Sequence, residues 1–196
     1  MVMGRPREFN VDTALDAALR VFWRNGYDGA SLTEITRSIG ITKPSLYAAF
    51  GNKEQLFWKA LERYVDGPAS YYRRALSQST ARKVVDCLLR DAAEAMTSPN
   101  SPPGCLVVQG ALGCGGTSKS IKSKLIALRL EAEDELRLRF ERAIADNDLL
   151  ETCSASDLAR YILTVLQGMA IQATGGAPRA DLKKTADIAL RHWPPD

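Results

Sequence analysis

The sequence predicts an all-α protein in which a small N-terminal unit of three helices precedes a larger helical domain. Apolar residues recur at steps of three and four along most of the 196 residues, which is the helical period. Helix start and stop residues stand at the ends of these periodic segments. No segment alternates convincingly as a strand, and no internal repeat is present. The hydrophobic fraction of 45% is typical of a globular chain.

The first helix is predicted to begin after Asn10, because asparagine is a favoured N-cap residue. Apolar residues follow at helical spacing as far as Phe22, and Gly26 supplies a stop signal. A second start follows at residues 31–34 (SLTE). This is the pattern of a capping box, in which the serine and the glutamate each accept a hydrogen bond from the other's backbone amide.

The second helix is predicted to end at Gly40, and a third helix begins almost at once. Thr42 is suited to cap it, and Pro44 fits its first turn, where the missing N–H costs no hydrogen bond. Leu46 and Phe50 continue the apolar period. A connection this short, containing glycine, is typical of a helix-turn-helix unit.

Helical periodicity continues to the C-terminus. Residues 98–104 (SPNSPPG) are the clearest loop in the chain. Further helices are predicted at Lys53 to Gly67, Thr80 to Thr97, Cys105 to Leu112, Ser120 to Ala145, Ser156 (as a cap) to Thr174, and Ala180 to Leu190.

Missing motifs narrow the function. No run of about 18 apolar residues is present, and the N-terminus lacks the apolar segment of a signal peptide. A cytosolic protein with no membrane span and with reduced cysteines is therefore expected. His192 is the only histidine and no CxxC pair occurs, so no metal, cofactor or enzymatic activity is expected.

The net charge of +3 is small, but its placement is uneven. Residues 1–53 carry +2, and the remaining 143 residues carry +1. Arg5 and Arg7 precede the first helix, whereas Lys43 and Lys53 stand at helix starts. Helix starts favour phosphate, because they present unpaired N–H groups and the positive end of the helix dipole. The placement of the charge therefore predicts a nucleic-acid partner.

Residues 9–58 resemble the DNA-binding domain of TetR/AcrR-type transcriptional regulators. The resemblance rests on several short motifs that are specific in combination. They are RVF…NGY at the end of the first helix, SLTEI at the start of the second, IGITKPSLY…F across the turn and third helix, and NKEQL after it. Residues 104–106 (GCL), after the proline-rich loop, resemble one AcrR-like subgroup.

The resemblance implies a helix-turn-helix DNA-binding domain over residues 1–53 and a helical ligand-binding and dimerisation domain over residues 54–196. It implies a homodimer whose third helices enter successive major grooves of double-stranded operator DNA. Such an operator is roughly palindromic, with half-sites about 34–36 Å apart or a multiple of that distance. The residues expected to contact DNA are Arg5, Arg7, Thr33, Thr42, Lys43, Pro44, Ser45, Tyr47 and Lys53.

Several of these residues have a plainer interpretation. Tyr47 is also compatible with packing inside the three-helix core. Lys43 and Ser45 are compatible with a solvated helix start, and Arg5 and Arg7 with a disordered tail.

The function implied is a transcriptional regulator, a repressor that an unknown small-molecule effector releases from its operator. An apolar pocket is expected at Met96, Val107, Val108, Leu112, Leu125 and Leu128, each of which is also compatible with plain core. The helix after Ser156 is too apolar for a surface helix, so a four-helix dimer interface with Ala180 to Leu190 is expected. Its predicted residues are Leu158, Ile162, Val165, Leu166 and Met169.

Two other functions remain open at this point. One is a thiol-based regulator that senses oxidants or electrophiles through Cys105 and Cys114, although both are also compatible with small buried hydrophobes. The other is a helical enzyme or carrier that merely contains a three-helix unit, against which the single histidine stands.

Overall fold

The computed structural model describes residues 9–112 and 118–194, without the side chain of Leu112. Within these ranges the chain forms ten α-helices and no strand. The all-α prediction is confirmed. The helices are α1 (Val11–Gly29), α2 (Leu32–Ile39), α3 (Lys43–Phe50), α4 (Lys53–Asp66), α5 (Tyr71–Leu76), α6 (Ala81–Met96), α7 (Leu106–Leu112), α8 (Lys119–Ala145), α9 (Ala155–Thr174) and α10 (Arg179–Arg191).

The start signals of the first helices act largely as predicted. The Asn10 side chain accepts a hydrogen bond from the backbone amide of Thr13, and the Thr42 hydroxyl accepts one from Ser45. Gly40 ends α2 in the left-handed conformation, at φ 79° and ψ 28°. α2 and α3 therefore enclose a turn of only three residues, which confirms the helix-turn-helix unit.

The predicted capping box at Ser31 and Glu34 forms only by half. The Ser31 hydroxyl accepts from the Glu34 amide, but the Glu34 carboxylate accepts instead from the Asn25 side chain at 2.8 Å. A full reciprocal box forms at α4, where Asn52 and Gln55 accept from each other's backbone amides at 2.8 and 2.9 Å.

Two other helix boundaries differ from the prediction, and one helix was not predicted. Gly26 breaks the helical geometry at φ 67°, but α1 resumes and continues to Gly29. Ser154, not Ser156, caps α9, because its hydroxyl accepts from the amide of Asp157. A short helix over residues 71–76, α5, follows Gly67 and was not predicted.

The buried apolar side chains form two clusters. The first, the head core, joins residues of α1 to α4 with Leu106, Ala111, Ile121 and Leu125 from α7 and the start of α8. The second, the body core, joins α5, α6, α9 and α10 with the last half of α8. We refer to α1–α4 as the head and to the rest as the body. The predicted boundary after residue 53 does not follow this division, because α4 shares its core with α1–α3.

No helix in the described part of the chain has the length and apolarity that a membrane crossing requires.

Candidate nucleic-acid interface and effector cavity

α3 presents a polar, exposed start on an apolar anchor. Leu46 and Phe50 are 0% and 2% exposed and hold the helix in the head core. Thr42, Lys43 and Pro44 are all exposed at its first turn. Because Leu46 and Phe50 are four residues apart, they share one face. The predicted DNA contacts in the first turn of α3 therefore project from a helix whose position is fixed by packing.

The hydroxyl groups near this turn are arranged as donors at the surface. The Thr42 and Ser45 hydroxyls lie 3.0 Å apart and share one hydrogen bond. Thr33 is exposed at the start of α2, and the predicted position of this side chain at a helix start is confirmed. Short hydroxyl side chains at helix starts are among the groups that bind DNA phosphates.

Tyr47 lies on the exposed side of α3, and 46% of its surface is accessible. Packing inside the three-helix core is therefore excluded for this residue.

Lys53 is less available than the sequence suggested. Its Nζ lies 4.5 Å from the centroid of the Tyr27 ring, which is a cation–π contact. Burial lowers the pKa of Lys53, and the nearby Asp28 carboxylate partly opposes that shift. The ammonium group already has favourable neighbours within the chain, so a phosphate contact would compete with them. Arg5 and Arg7 lie outside the described residues.

Polar contacts fix α4 to α1 within the head. Arg63 near the end of α4 donates to Asp16 at 2.9 Å and to Asp12 at 3.1 Å. A hydrogen bond between Ser118 and Asp28 joins the start of α8 to the end of α1. The head is thus one packed unit with a defined attachment to the body.

A cavity of about 370 Å³ lies where the head core meets the body core. Tyr64 on its wall belongs to the head core, whereas Tyr71 and Leu163 belong to the body core. Its volume falls within the range of small-molecule sites. Of the predicted pocket residues, it contains Met96, Val107, Val108 and Leu128.

Two predicted pocket residues do not belong to the observed wall. Leu125 is wholly buried in the head core, where its Cδ1 lies 3.0 Å from the position that a Cβ on Gly110 would take. Leu125 therefore lies outside this wall, because its side chain fills the space beneath α7. The side chain of Leu112 lies outside the described residues.

The polar part of the cavity wall was not predicted. The Tyr64 hydroxyl lies beside the Cys105 thiol and the Leu106 amide, and burial raises its pKa well above the ordinary value. Burial also raises the pKa of Tyr71. Arg129 also lines the cavity. The sequence does contain a signal for a charged residue on an inner face, because Arg129 follows Leu125 by four residues and so shares the apolar face of α8.

The five predicted interface residues separate into two groups. Ile162, Leu166 and Met169 are at most 9% exposed and pack within the body core of their own chain. Their apolar character therefore has an explanation within one chain. Leu158 and Val165 pack against the edge of the body core but remain partly exposed, and they share one face of α9 with the exposed Tyr161.

Residues 14–59 match the model of the family described as bacterial regulatory proteins, tetR family. The HTH-type transcriptional repressor ComR of Escherichia coli K12 is 33% identical over 195 residues, which are 97% of this chain and 92% of ComR. The repressor BdcR of the same organism is 39% identical over 112 residues, 56% of each chain.

The fold has a close counterpart among solved structures. A cysteine-substituted form of the TetR family transcriptional regulator CifR, complexed with 26-bp double-strand operator DNA, superposes with a TM-score of 0.91. It is 43% identical, and the superposition covers 97% of this chain and all of that one. A second cysteine-substituted form of CifR with the same DNA superposes equally well.

Proposed function

Because the chain belongs to the tetR family of bacterial regulatory proteins and is a DNA-binding transcriptional regulator, we propose that it is a homodimeric repressor released from its operator by a small molecule. The observation that carries the proposal is the place of the cavity, between the core that holds α3 and the core of the body. A molecule bound there touches both units.

DNA recognition in this proposal uses the exposed start of α3. Lys43 and the Thr42 and Ser45 hydroxyls supply donors to phosphates and base edges. Pro44 has no N–H to donate, so its contact is apolar, for example with a thymine methyl group. Arg5 and Arg7 precede α1 in the sequence, where basic arms of related motifs reach the minor groove.

Dimerisation in this proposal uses the outer face of α9. Leu158, Tyr161, Val165 and Gly168 follow one another at steps of three, four and three, so they form one stripe. A Cβ added at Gly168 would meet nothing within 4 Å in this chain. Glycine weakens a helix interior, but it permits close approach of another backbone. Ile188, on the neighbouring helix α10, is also apolar and is 49% exposed.

The effector acts through differential affinity for two arrangements of head and body. For tenfold weaker DNA binding, the effector must bind one arrangement more favourably than the other by about 1.4 kcal/mol. The cavity wall includes Val65 and Ala69 near the end of α4 together with α8 and α9 residues. A ligand therefore contacts the segment where the head joins the body.

The first test is selection of bound DNA from a random pool, followed by a small-molecule screen for release of that DNA. The proposal requires a two-fold symmetric site and binding that weakens steeply with salt, because phosphate contacts release counterions. An enzyme or carrier that uses the fold for another purpose shows neither property. An asymmetric or absent consensus contradicts the proposal.

The second test separates release from DNA binding. Leu128 lines the cavity, whereas Leu130, two residues later on α8, is 61% exposed. We expect Leu128→Trp to bind operator normally and to lose the response to the effector, because the indole fills the cavity. Leu130→Trp is the matched control and keeps the response. Equal responses of both variants contradict the assignment of the cavity.

A second function, thiol-based sensing, is favoured by one observation. Cys105 lies in the cavity wall and is partly exposed there. Cys114, the second residue of this hypothesis, lies outside the described residues. In this alternative, oxidation or alkylation of the thiol takes the place of ligand binding.

Cysteine variants distinguish this alternative. Thiol sensing requires that diamide or peroxide release the operator from the wild type and not from Cys105→Ser/Cys114→Ser protein. Cys87→Ser is the control, since burial and the Asp91 carboxylate raise the pKa of the Cys87 thiol and so disfavour its reactive thiolate. Release from the double variant removes the alternative.

A further inference from the structure

The geometry points to an anionic, amphipathic effector whose carboxylate pairs with Arg129 in the cavity. This inference rests on the proposed function and specifies the chemistry of its ligand. The Nε atom of Arg129 is buried and has no hydrogen-bond partner. No ion pair of Arg129 is present within residues 9–112 and 118–194. The cavity wall thus includes an arginine that forms no ion pair within the described residues and whose Nε is an unpaired buried donor.

A guanidinium group has a strong preference for one kind of partner. Its five N–H donors lie in a rigid planar fork that matches the two oxygens of a carboxylate. An unpaired buried donor costs free energy in the empty protein, and a bound carboxylate removes that cost. A neutral hydroxyl offers one acceptor oxygen and no charge, so it compensates the group less completely.

The other charged residues of the wall do not offer an equivalent site. Arg73 also lines the cavity, but it donates to Asp66 at 2.6 Å. Glu131 and Glu135 are exposed, and solvent screens their repulsion of an anion.

The rest of the wall determines which kind of group can follow the carboxylate in the ligand. Met96, Val108, Leu163 and Leu166 provide an apolar surface. The Tyr72 hydroxyl already donates its hydrogen to the carbonyl of Ala132, so it has no hydrogen left to donate to a ligand. A cavity of about 370 Å³ suits one ring or a short chain attached to the carboxylate. An arylalkanoate has this combination of groups.

The test uses three probes that differ only in the head group: 4-phenylbutanoate, 4-phenylbutan-1-ol and 4-phenylbutylammonium. Binding of each to the wild-type protein is measured by titration calorimetry at neutral pH. We expect the carboxylate to bind at least about tenfold more tightly than the alcohol, and the ammonium to bind least. Tighter binding of the alcohol or the ammonium, or no binding of any probe at millimolar concentration, overturns the inference.

Variants locate the preference. Arg129→Met keeps an unbranched stem of similar length but lacks the charged guanidinium group, so the carboxylate loses its advantage while the alcohol binds as before. Arg129→Lys retains a charge without the fork, and we expect an intermediate preference. Arg73→Met is the matched control from the same cavity and keeps the full preference. If Arg129→Met retains the preference, Arg129 is not the recognising residue.

The outcome separates the ligand class from the repressor function. Operator binding is measured in parallel with each probe present. Carboxylate-selective binding through Arg129 without operator release supports the proposed ligand class. The same result contradicts the proposal that a ligand in this cavity releases the operator. Release of the operator by all three probes alike supports the release function and overturns the preference for an anion.

Discussion

The indole ring of Trp23 meets the phenol ring of Tyr64 edge to face, with the ring centroids 4.7 Å apart and the planes at 83°. Trp23 is 2% exposed within α1, and Tyr64 forms part of the cavity wall on α4. Aromatic pairs in this geometry are favourable beyond the area they bury. A ligand that displaces Tyr64 therefore acts directly on a residue of α1.

We expect Trp23→Phe to reduce the coupling between effector and operator by about 0.5–2 kcal/mol. The smaller ring loosens the contact with Tyr64, whereas α3 and its DNA contacts are unchanged. The measurement is operator affinity with and without the effector, by fluorescence anisotropy.

Trp193→Phe is the matched control for this change. The Nε1 atoms of both tryptophans are buried without a hydrogen-bond partner. In the body core, the ring centroids of Trp193 and Phe140 lie 5.2 Å apart. Each substitution also removes an unpaired buried donor. We therefore expect both to lower the free energy of unfolding by less than the roughly 3 kcal/mol of a truncation to alanine. Equal loss of coupling in both variants contradicts the role of Trp23.

Lys43→Ala is expected to weaken operator binding and to reduce its salt dependence. Each dimer loses two phosphate contacts, so the slope of log K against log salt becomes shallower by about 1.8. Anisotropy titrations over a range of salt concentrations measure the slope. Lys184→Ala, which removes an exposed lysine of α10 that pairs with Asp181, leaves the slope unchanged. A wild-type slope for Lys43→Ala places this residue outside the phosphate contacts.

Val165→Asp is expected to weaken the dimer by about 2 kcal/mol or more, because it places a charge without a partner in the apolar stripe. Sedimentation at several concentrations measures the dissociation constant. Leu138→Asp introduces the same charge at an α8 residue that is 51% exposed and outside the stripe, and the dimer persists. Monomeric wild-type protein at micromolar concentration excludes the interface.

Gly51→Ala is expected to destabilise the protein more than Gly40→Ala. Both glycines have positive φ, but their ψ angles differ. Gly40, at φ 79° and ψ 28°, is in the left-handed helical region, where alanine costs about 1–2 kcal/mol. Gly51, at φ 77° and ψ −138°, is in a region that glycine almost alone adopts, so alanine is strained more there. A Cβ at Gly51 would also lie 1.9 Å from the Gln55 Oε1 that accepts from Asn52, whereas one at Gly40 meets nothing within 4 Å. The capping hydrogen bond adds about 1 kcal/mol to the difference.

Urea unfolding followed by circular dichroism measures the two free energies. In a Gln55→Ala background the additional cost of Gly51→Ala is expected to fall by about 1 kcal/mol, the part due to the capping hydrogen bond, as a double-mutant cycle measures. If the additional cost is unchanged in that background, it arises from backbone strain alone and the cap does not contribute to it.

Local signals in the sequence predicted much of the head. Gly40, Thr42 and Pro44 each act on their own backbone or on a neighbour three residues away, so their roles follow from spacing alone. Glu34 differs, because its partner Asn25 is nine residues away in another helix. Ser154 and Ser156 are both suitable cap residues by type. Ser154 is the cap because its backbone is extended and the helical conformation begins at the next residue.

The body was predicted less completely, for a physical reason. An apolar residue on a helix fits a core, a cavity wall and an interface equally well in sequence. Leu125 lies in the core, Leu128 lines the cavity and Leu158 is partly exposed, although all three suit apolar helix faces. Their roles are decided by which helix packs opposite them, and that depends on residues far away in the chain.

The position of α4 has a mechanical consequence. It is 14 residues long, about 20 Å, and runs from the base of α3 to the cavity. Arg63 joins α4 to Asp12 and Asp16 of α1. In the proposed mechanism, a displacement of Tyr64 therefore moves α4 and α1 together and carries α3 with them. Each head then keeps its own affinity for a half-site. In the proposed dimer, the effector then alters the distance between two intact heads. The half-site spacing of one duplex fits only one of the two distances.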